Sequence, residues 1–206
     1  MTSPQRPPPR TTSPPSRVRP PAVAITGGIG AGKSELLKAF ARHGAATISS
    51  DEIVHRLLRE DEEVKQAMVE KLGRIVLRKG EIDRSRVANL VFRDRELLAW
   101  LEGLLHPRVS AEYLRWRDQQ DAALTVTEVP LLFEAGSAAN FDAVVVVTAP
   151  EDERRARSQV ATADREARLI PDEEKVARAD FAFVNVGSLD ELDAFAAGVV
   201  DQLAAR

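Results

Sequence analysis

The 206-residue sequence contains no cysteine, and this absence excludes disulfide bonds, thiolate metal sites and thiol catalysis. It also lacks an excess of either charge. Its 29 Lys and Arg residues face 32 Asp and Glu residues, so bulk electrostatics gives no indication of nucleic-acid binding. No apolar run approaches the roughly 20 residues that a membrane-spanning helix needs. We therefore expect a cytoplasmic protein that binds neither nucleic acid nor membranes.

Residues 1–21 differ in composition from the rest of the chain. The segment is mostly Pro, Arg, Ser and Thr, and Val18 is its only aliphatic residue after Met1. Such a segment cannot bury enough apolar surface to offset the entropy of ordering it. The composition predicts a disordered tail at 1–21, followed by one domain at 22–206.

From Ala22 the chain alternates strand and helix signals. A helix is predicted for Ser34–Arg42, where Gly44 ends the pattern. Short apolar runs predict five strands: Ala22–Thr26, Ala45–Ile48, Leu124–Val129, Ala143–Thr148 and Phe181–Val184. An uninterrupted valine run is typical of a strand covered on both faces. Together these signals predict an α/β fold, with a parallel five-stranded sheet flanked by helices.

Between the second and third predicted strands lies a helical stretch at about 52–120. Its apolar stripe is interrupted at Gly73, a turn is predicted at Lys79-Gly80, and Asp83 can cap the helix that follows. A leucine-rich stripe then continues until Pro107, where we expect a further helix to begin. This is too much chain for a simple crossover, so we interpret it as an insertion that covers the substrate side of the sheet.

The strongest chemical signal is Gly-Gly-Ile-Gly-Ala-Gly-Lys-Ser at 27–34, which fits G-x-x-x-x-G-K-[ST] between a strand and a helix. Glycines let the backbone N–H groups face inward, and the helix adds its positive end. In such a P-loop Lys33 can reach the β- and γ-phosphates, and the Ser34 hydroxyl can ligate Mg²⁺. A glycine-rich turn with a chance lysine is the weaker alternative. The predicted nucleotide-binding residues are Gly28, Ile29, Gly30, Ala31, Gly32, Lys33 and Ser34.

Asp51 follows the second predicted strand directly. Strand ends on the P-loop edge of a parallel sheet converge on the ligand crevice, where a carboxylate can accept the proton of an attacking hydroxyl. Asp is also a frequent N-cap, and Asp51 precedes a helix. The sequence alone leaves both roles open.

Several motifs, in this order, resemble those of the dephospho-CoA kinases, the likeness running from about Ala22 to Leu203. Besides the P-loop they are Ile48–Asp51 (ISSD), Gly80–Arg84 (GEIDR), Leu105–Pro107 (LHP), Val129–Glu134 (VPLLFE) and Ala179–Phe181 with Asn185 and Gly187. The resemblance implies a P-loop kinase fold with a helical substrate-binding insertion and a lid. It also implies transfer of the γ-phosphoryl group of ATP to the 3′-hydroxyl of dephospho-CoA, with Mg²⁺, by an enzyme that we expect to be monomeric.

Carried over by matching position, the resemblance makes Asp51 the catalytic base, Lys33 the γ-phosphate stabiliser and Ser34 the metal ligand. Asn185 is assigned to the nucleotide side. The motifs assigned to the dephospho-CoA side contain Asp83, Arg84, His106 and Glu134.

Simpler roles stay open for three residues. Asp83 can be only an N-cap, and His106 can satisfy a loop carbonyl. Glu128 can hold Mg²⁺ through water or be a solvated strand end.

The sequence departs from the family at two places. Ser49 stands where the family commonly has Asp. The lid at about 150–175 is also shorter, by about half a dozen residues. A lid must exclude water and place guanidinium charge on the transferring group, and Arg157 and Arg165 are the candidates. An exposed, salt-bridged helix is the alternative for this stretch. The alternative functions are another small-molecule kinase and a non-catalytic nucleotide-sensing module.

Overall fold

The computed structural model describes residues 19–157 and 169–205. Residues 1–18 of the predicted tail lie outside the described residues, and Arg165 also lies outside them. Within the described part of the chain, no helix is both long and apolar enough to cross a membrane.

Five of the seven described strands fall at the places that the sequence predicts, with ends that differ by at most one residue, whereas the short strands on either side of the predicted Lys79-Gly80 turn were not predicted. The five predicted strands form one sheet in the order β2-β5-β1-β6-β7, and each pairing within it is parallel. The prediction of a parallel five-stranded sheet is confirmed. The strands are β1 (Ala22–Gly27), β2 (Ala46–Ser49), β3 (Leu77–Arg78), β4 (Glu81–Ile82), β5 (Thr125–Glu128), β6 (Ala143–Thr148) and β7 (Phe181–Val184).

Helices cover both faces of the sheet. They are α1 (Lys33–Arg42), α2 (Ser50–Glu60), α3 (Glu62–Leu72), α4 (Arg84–Val91), α5 (Arg95–Asp118), α6 (Glu151–Arg157), α7 (Asp172–Ala177) and α8 (Leu189–Ala204). Val23 and Ile25 of the central strand β1 pack in the core beneath α1 and α8, whereas Ala24 packs in a second core on the opposite face. Because β1 is buried on both faces, its sequence is a continuous apolar run rather than an alternating one.

The region between β2 and β5 builds a small core of its own. Helices α2 to α5 and the β3-β4 hairpin bury a cluster that includes Val64, Met68 and Val87. A seam around Ile53 and Tyr113 then joins α2 and α5 to the sheet. The hairpin turns at Lys79-Gly80, as predicted, with both residues at positive φ. The insertion is therefore a helical layer attached at one end of the sheet.

The expectation that Pro107 begins a new helix is wrong. Helix α5 runs without a break from Arg95 to Asp118, with Pro107 inside it. Proline removes only one N–H donor here, and Arg108 Nη1 donates to the Leu104 carbonyl at 3.1 Å. Leu105 and Tyr113 are buried on either side of the proline, so packing of one face outweighs the lost hydrogen bond.

Candidate active site

The predicted P-loop connects β1 to α1 at the centre of the sheet. A side chain at Gly27 would collide with the Val147 carbonyl of the neighbouring strand, so only glycine lets the loop leave the sheet at this point. Gly32 precedes α1 with φ of 103°, and no side chain caps the first turn. The N–H groups at the start of α1 therefore stay available for an anion, as the motif predicts.

Lys33 lies folded along the loop that precedes it. Its ammonium donates hydrogen bonds to the carbonyls of Gly27 at 3.1 Å and Gly28 at 2.9 Å. Burial lowers the pKa of Lys33, and the nearby Lys175 lowers it further, while the negative charges of Glu128, Asp51 and Asp172 oppose both effects. Lys33 is thus a preorganised positive charge against the phosphate-binding backbone.

Ser34 forms a hydrogen bond with β5, the strand that lies next to β1 in the sheet. Its hydroxyl donates to Glu128 Oε2 at 3.1 Å and lies 3.4 Å from Oε1. Glu128 is only 8% exposed, so the alternative of a solvated strand end is wrong. Burial raises the pKa of Glu128, whereas Lys33 and the Ser34 hydroxyl act in the other direction. A hydroxyl and a carboxylate here form an oxygen-rich pair of the kind that Mg²⁺ binds.

Asp51 does not cap α2. The N-cap is Ser49, whose Oγ accepts a hydrogen bond from the Asp51 backbone N–H at 3.3 Å, and the Asp51 carboxylate is exposed in the first turn. Its negative charge raises the pKa of both Lys33 and Glu128, so it belongs to the same electrostatic cluster. Ser49 therefore accounts for the helix start and leaves Asp51 available for chemistry.

Asn185 closes the other side of the P-loop. Its Nδ2 donates to the Ala31 carbonyl at 2.9 Å, and a side chain at Gly32 would collide with it. Arg157 reaches the same segment, with Nη1 3.4 Å from the Asn185 carbonyl, but it also pairs with Glu153 at 3.0 Å. The loop after β7 is thus attached to the phosphate-binding backbone.

In the described part of the chain, Arg154 of α6 lies directly over the P-loop. A methyl group at Gly28 would stand 2.5 Å from its Nη1, and one at Gly30 would stand 2.6 Å from its carbonyl oxygen. Asp172 of α7 lies 3.9 Å from the same Nη1. The sequence predicts Arg157 and Arg165 for this role. Arg165 lies outside the described residues, and spacing along α6 does not reveal whether Arg154 or Arg157 faces the loop.

Glu134 is held by α7 and the residues that precede it. Its Oε1 accepts a hydrogen bond from the Ile170 N–H at 3.0 Å and lies 3.1 Å from Nζ of Lys175, which is fully buried. Burial alone would raise the pKa of Glu134, but these hydrogen bonds and the Lys175 charge hold it below its usual range. The sequence does not predict the burial of Lys175, because the residue stands on a short helix rich in acidic residues.

The insertion supplies the remaining predicted residues. Asp83 caps α4 by accepting hydrogen bonds from the N–H groups of Ser85 and Arg86, as its simpler interpretation proposed. Arg84 is exposed at the start of the same helix. His106 is exposed on α5 rather than in a loop, so the role of satisfying a loop carbonyl is excluded.

The parallel strand order, the P-loop after the central strand and the carboxylate of Glu128 at the adjacent strand end define a P-loop kinase. A family model described as dephospho-CoA kinase matches residues 21–191. A dephospho-CoA kinase from Protochlamydia amoebophila is 39% identical over 182 residues, which cover 82% of this chain and 90% of that protein. One from Coxiella burnetii is 34% identical over 172 residues, with coverages of 79% and 86%.

Solved structures give the same result. A Thermus thermophilus protein superposes with a TM-score of 0.78 at 33% identity, covering 90% of this chain and 99% of its own. The dephospho-CoA kinase from Campylobacter jejuni gives a TM-score of 0.67 at 28% identity, with coverages of 89% and 97%. The chain belongs to the dephospho-CoA kinase family and is an ATP-dependent phosphotransferase.

Proposed function

We propose that this chain transfers the γ-phosphoryl group of ATP to the ribose 3′-hydroxyl of dephospho-CoA, giving CoA and ADP, with Asp51 as the base. The observation that carries the proposal is the convergence of Lys33, Ser34, Glu128 and Asp51, which come from three separate parts of the chain. A nucleotide-sensing module would need the phosphate-binding lysine but not two additional carboxylates beside it.

In this reaction a bond forms between the 3′-oxygen and the γ-phosphorus, and the bond from the γ-phosphorus to the bridging oxygen of ADP breaks. The hydroxyl proton passes to the Asp51 carboxylate. Lys33 stabilises the charge on the transferring group, and the N–H groups at the start of α1 hold the phosphates.

The cofactor is Mg²⁺. Ser34 and Glu128 fit it because a hydroxyl and a buried carboxylate lie together beside the P-loop. Mg²⁺ commonly takes few protein ligands, so a site of two oxygens completed by phosphate and water suffices. When bound, Mg²⁺ would supply positive charge that offsets the negative charge of the phosphates.

Arg154 places the guanidinium charge on the phosphates. Its contact with Gly28 and Gly30 supports this role over that of Arg157, which reaches the loop after β7 instead. Arg157 then contributes to nucleotide binding through Asn185. Arg165, within the lid at about 150–175, stays a candidate from the sequence alone.

The insertion at about 52–120 binds dephospho-CoA. Arg84 and His106 are suited to the anionic groups of this substrate because both side chains are exposed on the helical layer. Asp83 accepts a hydrogen bond from the Ser85 N–H, and Glu134 pairs with Lys175. Both residues therefore position their neighbours and also line the substrate site. A cytoplasmic monomer remains the expectation.

An acceptor panel tests the proposal. We expect Mg²⁺-dependent ADP release with dephospho-CoA, accompanied by a product that mass spectrometry identifies as CoA. Faster release with a nucleoside monophosphate or a sugar acid would point to another small-molecule kinase. ATP binding without transfer to any acceptor would point to a nucleotide sensor.

A further inference from the structure

The Glu134–Lys175 pair is unusual because it is buried beside the lid and its bonding capacity is only partly used. The Lys175 side chain has no exposed surface, and that of Glu134 is 15% exposed. Within the described residues, Glu134 Oε2 is buried without a hydrogen-bond partner. Both charges are largely shielded from water. Within the described residues, the contacts that compensate for this are the 3.1 Å ion pair and the hydrogen bond from the Ile170 N–H to Glu134.

Stability does not explain such a pair. Replacing a buried ion pair by apolar residues of similar volume is often neutral or stabilising, because desolvation offsets the attraction between the charges. Removing only one partner is strongly destabilising, since the other charge is left buried and unpaired. A pair of this kind is better suited to fixing a geometry than to raising the free energy of unfolding.

The geometry that it fixes is the placement of α7. Glu134 follows β5 in the loop toward β6, and it holds both the Ile170 N–H before α7 and the Lys175 ammonium within α7. The guanidinium of Arg178, just after α7, also stacks on Phe133 at 4.3 Å. Three contacts therefore attach α7 to one short loop of the sheet.

Helix α7 in turn presents Asp172 to Arg154. The two side chains are each mostly buried, and Asp172 Oδ2 lies 3.9 Å from Arg154 Nη1. That same nitrogen lies against Gly28 of the P-loop. A continuous set of contacts thus runs from Glu134 through Lys175 and α7 to the arginine over the phosphates.

We propose that Glu134 and Lys175 are positioning residues, whose buried ion pair fixes α7 so that Asp172 holds Arg154 over the P-loop. This inference rests on the proposed role of Arg154 in binding the phosphates. It gives Glu134 a role different from the substrate contact that its motif implies. It also assigns Lys175 a function in catalysis without contact to the reacting atoms.

The test is a mutant cycle that compares Glu134→Gln/Lys175→Met with Arg154→Ala. The double substitution removes both charges together and keeps an oxygen to accept from the Ile170 N–H, so we expect a melting temperature near that of the parent. We expect kcat to fall about 10–100-fold, because a displacement of about 1 Å at the reacting centre is enough for such a loss. Combined with Arg154→Ala, the double substitution should cause no further loss of kcat.

Asp172→Asn provides a second mutant cycle that leaves the buried ion pair intact. The proposal can therefore be tested even if the Glu134→Gln/Lys175→Met variant does not fold. Asp172→Asn should lower kcat in the parent but not in Arg154→Ala, and the exposed neighbour Glu173→Gln is the matched control with unchanged kcat. Losses that multiply with Arg154→Ala, or full activity of both variants, would overturn the positioning role. Full activity of Arg154→Ala alone would instead refute the proposed role of Arg154.

Discussion

Three polar side chains around the P-loop are held by hydrogen bonds, whereas Arg84 and His106 on the helical insertion are exposed. Lys33 bonds the loop carbonyls, Ser34 bonds Glu128, and Asn185 bonds Ala31. Of the three residues predicted on the insertion, only Asp83 forms side-chain hydrogen bonds within the described part of the chain, and there it caps a helix. The side chains around the P-loop are therefore preorganised, and we propose that Arg84 and His106 on the insertion become ordered only when the acceptor binds.

This difference has a physical reason. Phosphoryl transfer depends mainly on positioning and charge, so the groups around the phosphates gain from being preorganised in a partly buried setting. Recognition of a larger acceptor can use flexible, exposed cations, which lose side-chain entropy only on binding. We accordingly expect substitutions at the phosphate end to lower kcat and substitutions on the insertion to raise KM.

Among the substitutions that compare the P-loop with the insertion, Lys33→Ala should cause the largest loss of kcat. We expect kcat to fall about 10²–10³-fold or more, because a preorganised charge next to the transferring group is lost. The fold should persist, since Lys33 bonds only two loop carbonyls. Steady-state kinetics and circular dichroism check both statements. Near-normal turnover in a folded Lys33→Ala protein would show that Lys33 of the P-loop does not stabilise the transferring phosphoryl group.

Glu128→Gln should separate activity from stability. We expect a roughly 10–100-fold loss of activity, partly recovered at high Mg²⁺, because the carboxylate that bonds Ser34 becomes neutral.

The stability of this variant should change in the opposite direction. Burial raises the folded-state pKa of Glu128 above its unfolded value, so its contribution to stability is present at low pH and is lost as pH rises through the folded pKa. Without Mg²⁺, Glu128→Gln should therefore melt at a higher temperature than the parent at neutral pH. The difference should shrink as pH falls through the carboxylate range. The prediction would be contradicted if the melting temperature of the variant exceeded that of the parent by less at neutral pH than at low pH.

Arg84→Ala and His106→Ala should each raise KM for dephospho-CoA by about 10–100-fold and change kcat little. The basis is the loss of one hydrogen bond to a charged group, typically worth about 1.5–3 kcal/mol. Arg93→Ala, an exposed arginine of the same layer, is the control. A fall in kcat with unchanged KM would mean that the two ends of the site do not differ as described.

Ser49→Ala should have the smallest effect. Loss of the N-cap of α2 is expected to lower the free energy of unfolding by about 1 kcal/mol, and Ser49→Asp should restore it, since Asp caps about as well as Ser. Thermal denaturation of both variants measures this. Equal stability of Ser49→Ala and the parent would show that Ser49 does not cap the helix.

The sequence predicts the fold well because strand and turn signals here are local. The valine run of β6, the glycines of the P-loop and the Lys79-Gly80 turn each encode their structure in neighbouring residues. The error at Pro107 arose because a long-range effect, packing of one face of α5, outweighed a local one.

The site is predictable only in part for the same reason. The P-loop and Asp51 follow from motifs at strand ends, but the contacts of Glu128, Arg154 and Lys175 join segments far apart in the chain. Whether a charged residue on a short helix faces solvent or the P-loop is set by tertiary packing. No spacing rule within one helix contains that information.

The most direct test of the central claim is single-turnover phosphoryl transfer by Asp51→Asn with saturating ATP, Mg²⁺ and dephospho-CoA. Ser49 caps α2, so the variant should keep the parent's melting temperature and its affinity for ATP. The amide cannot take a proton, and we expect the rate of transfer to fall about 10²–10⁴-fold without recovery at high Mg²⁺. Recovery with added Mg²⁺ would assign Asp51 to the metal instead, and transfer at the parent's rate would contradict its role as the base.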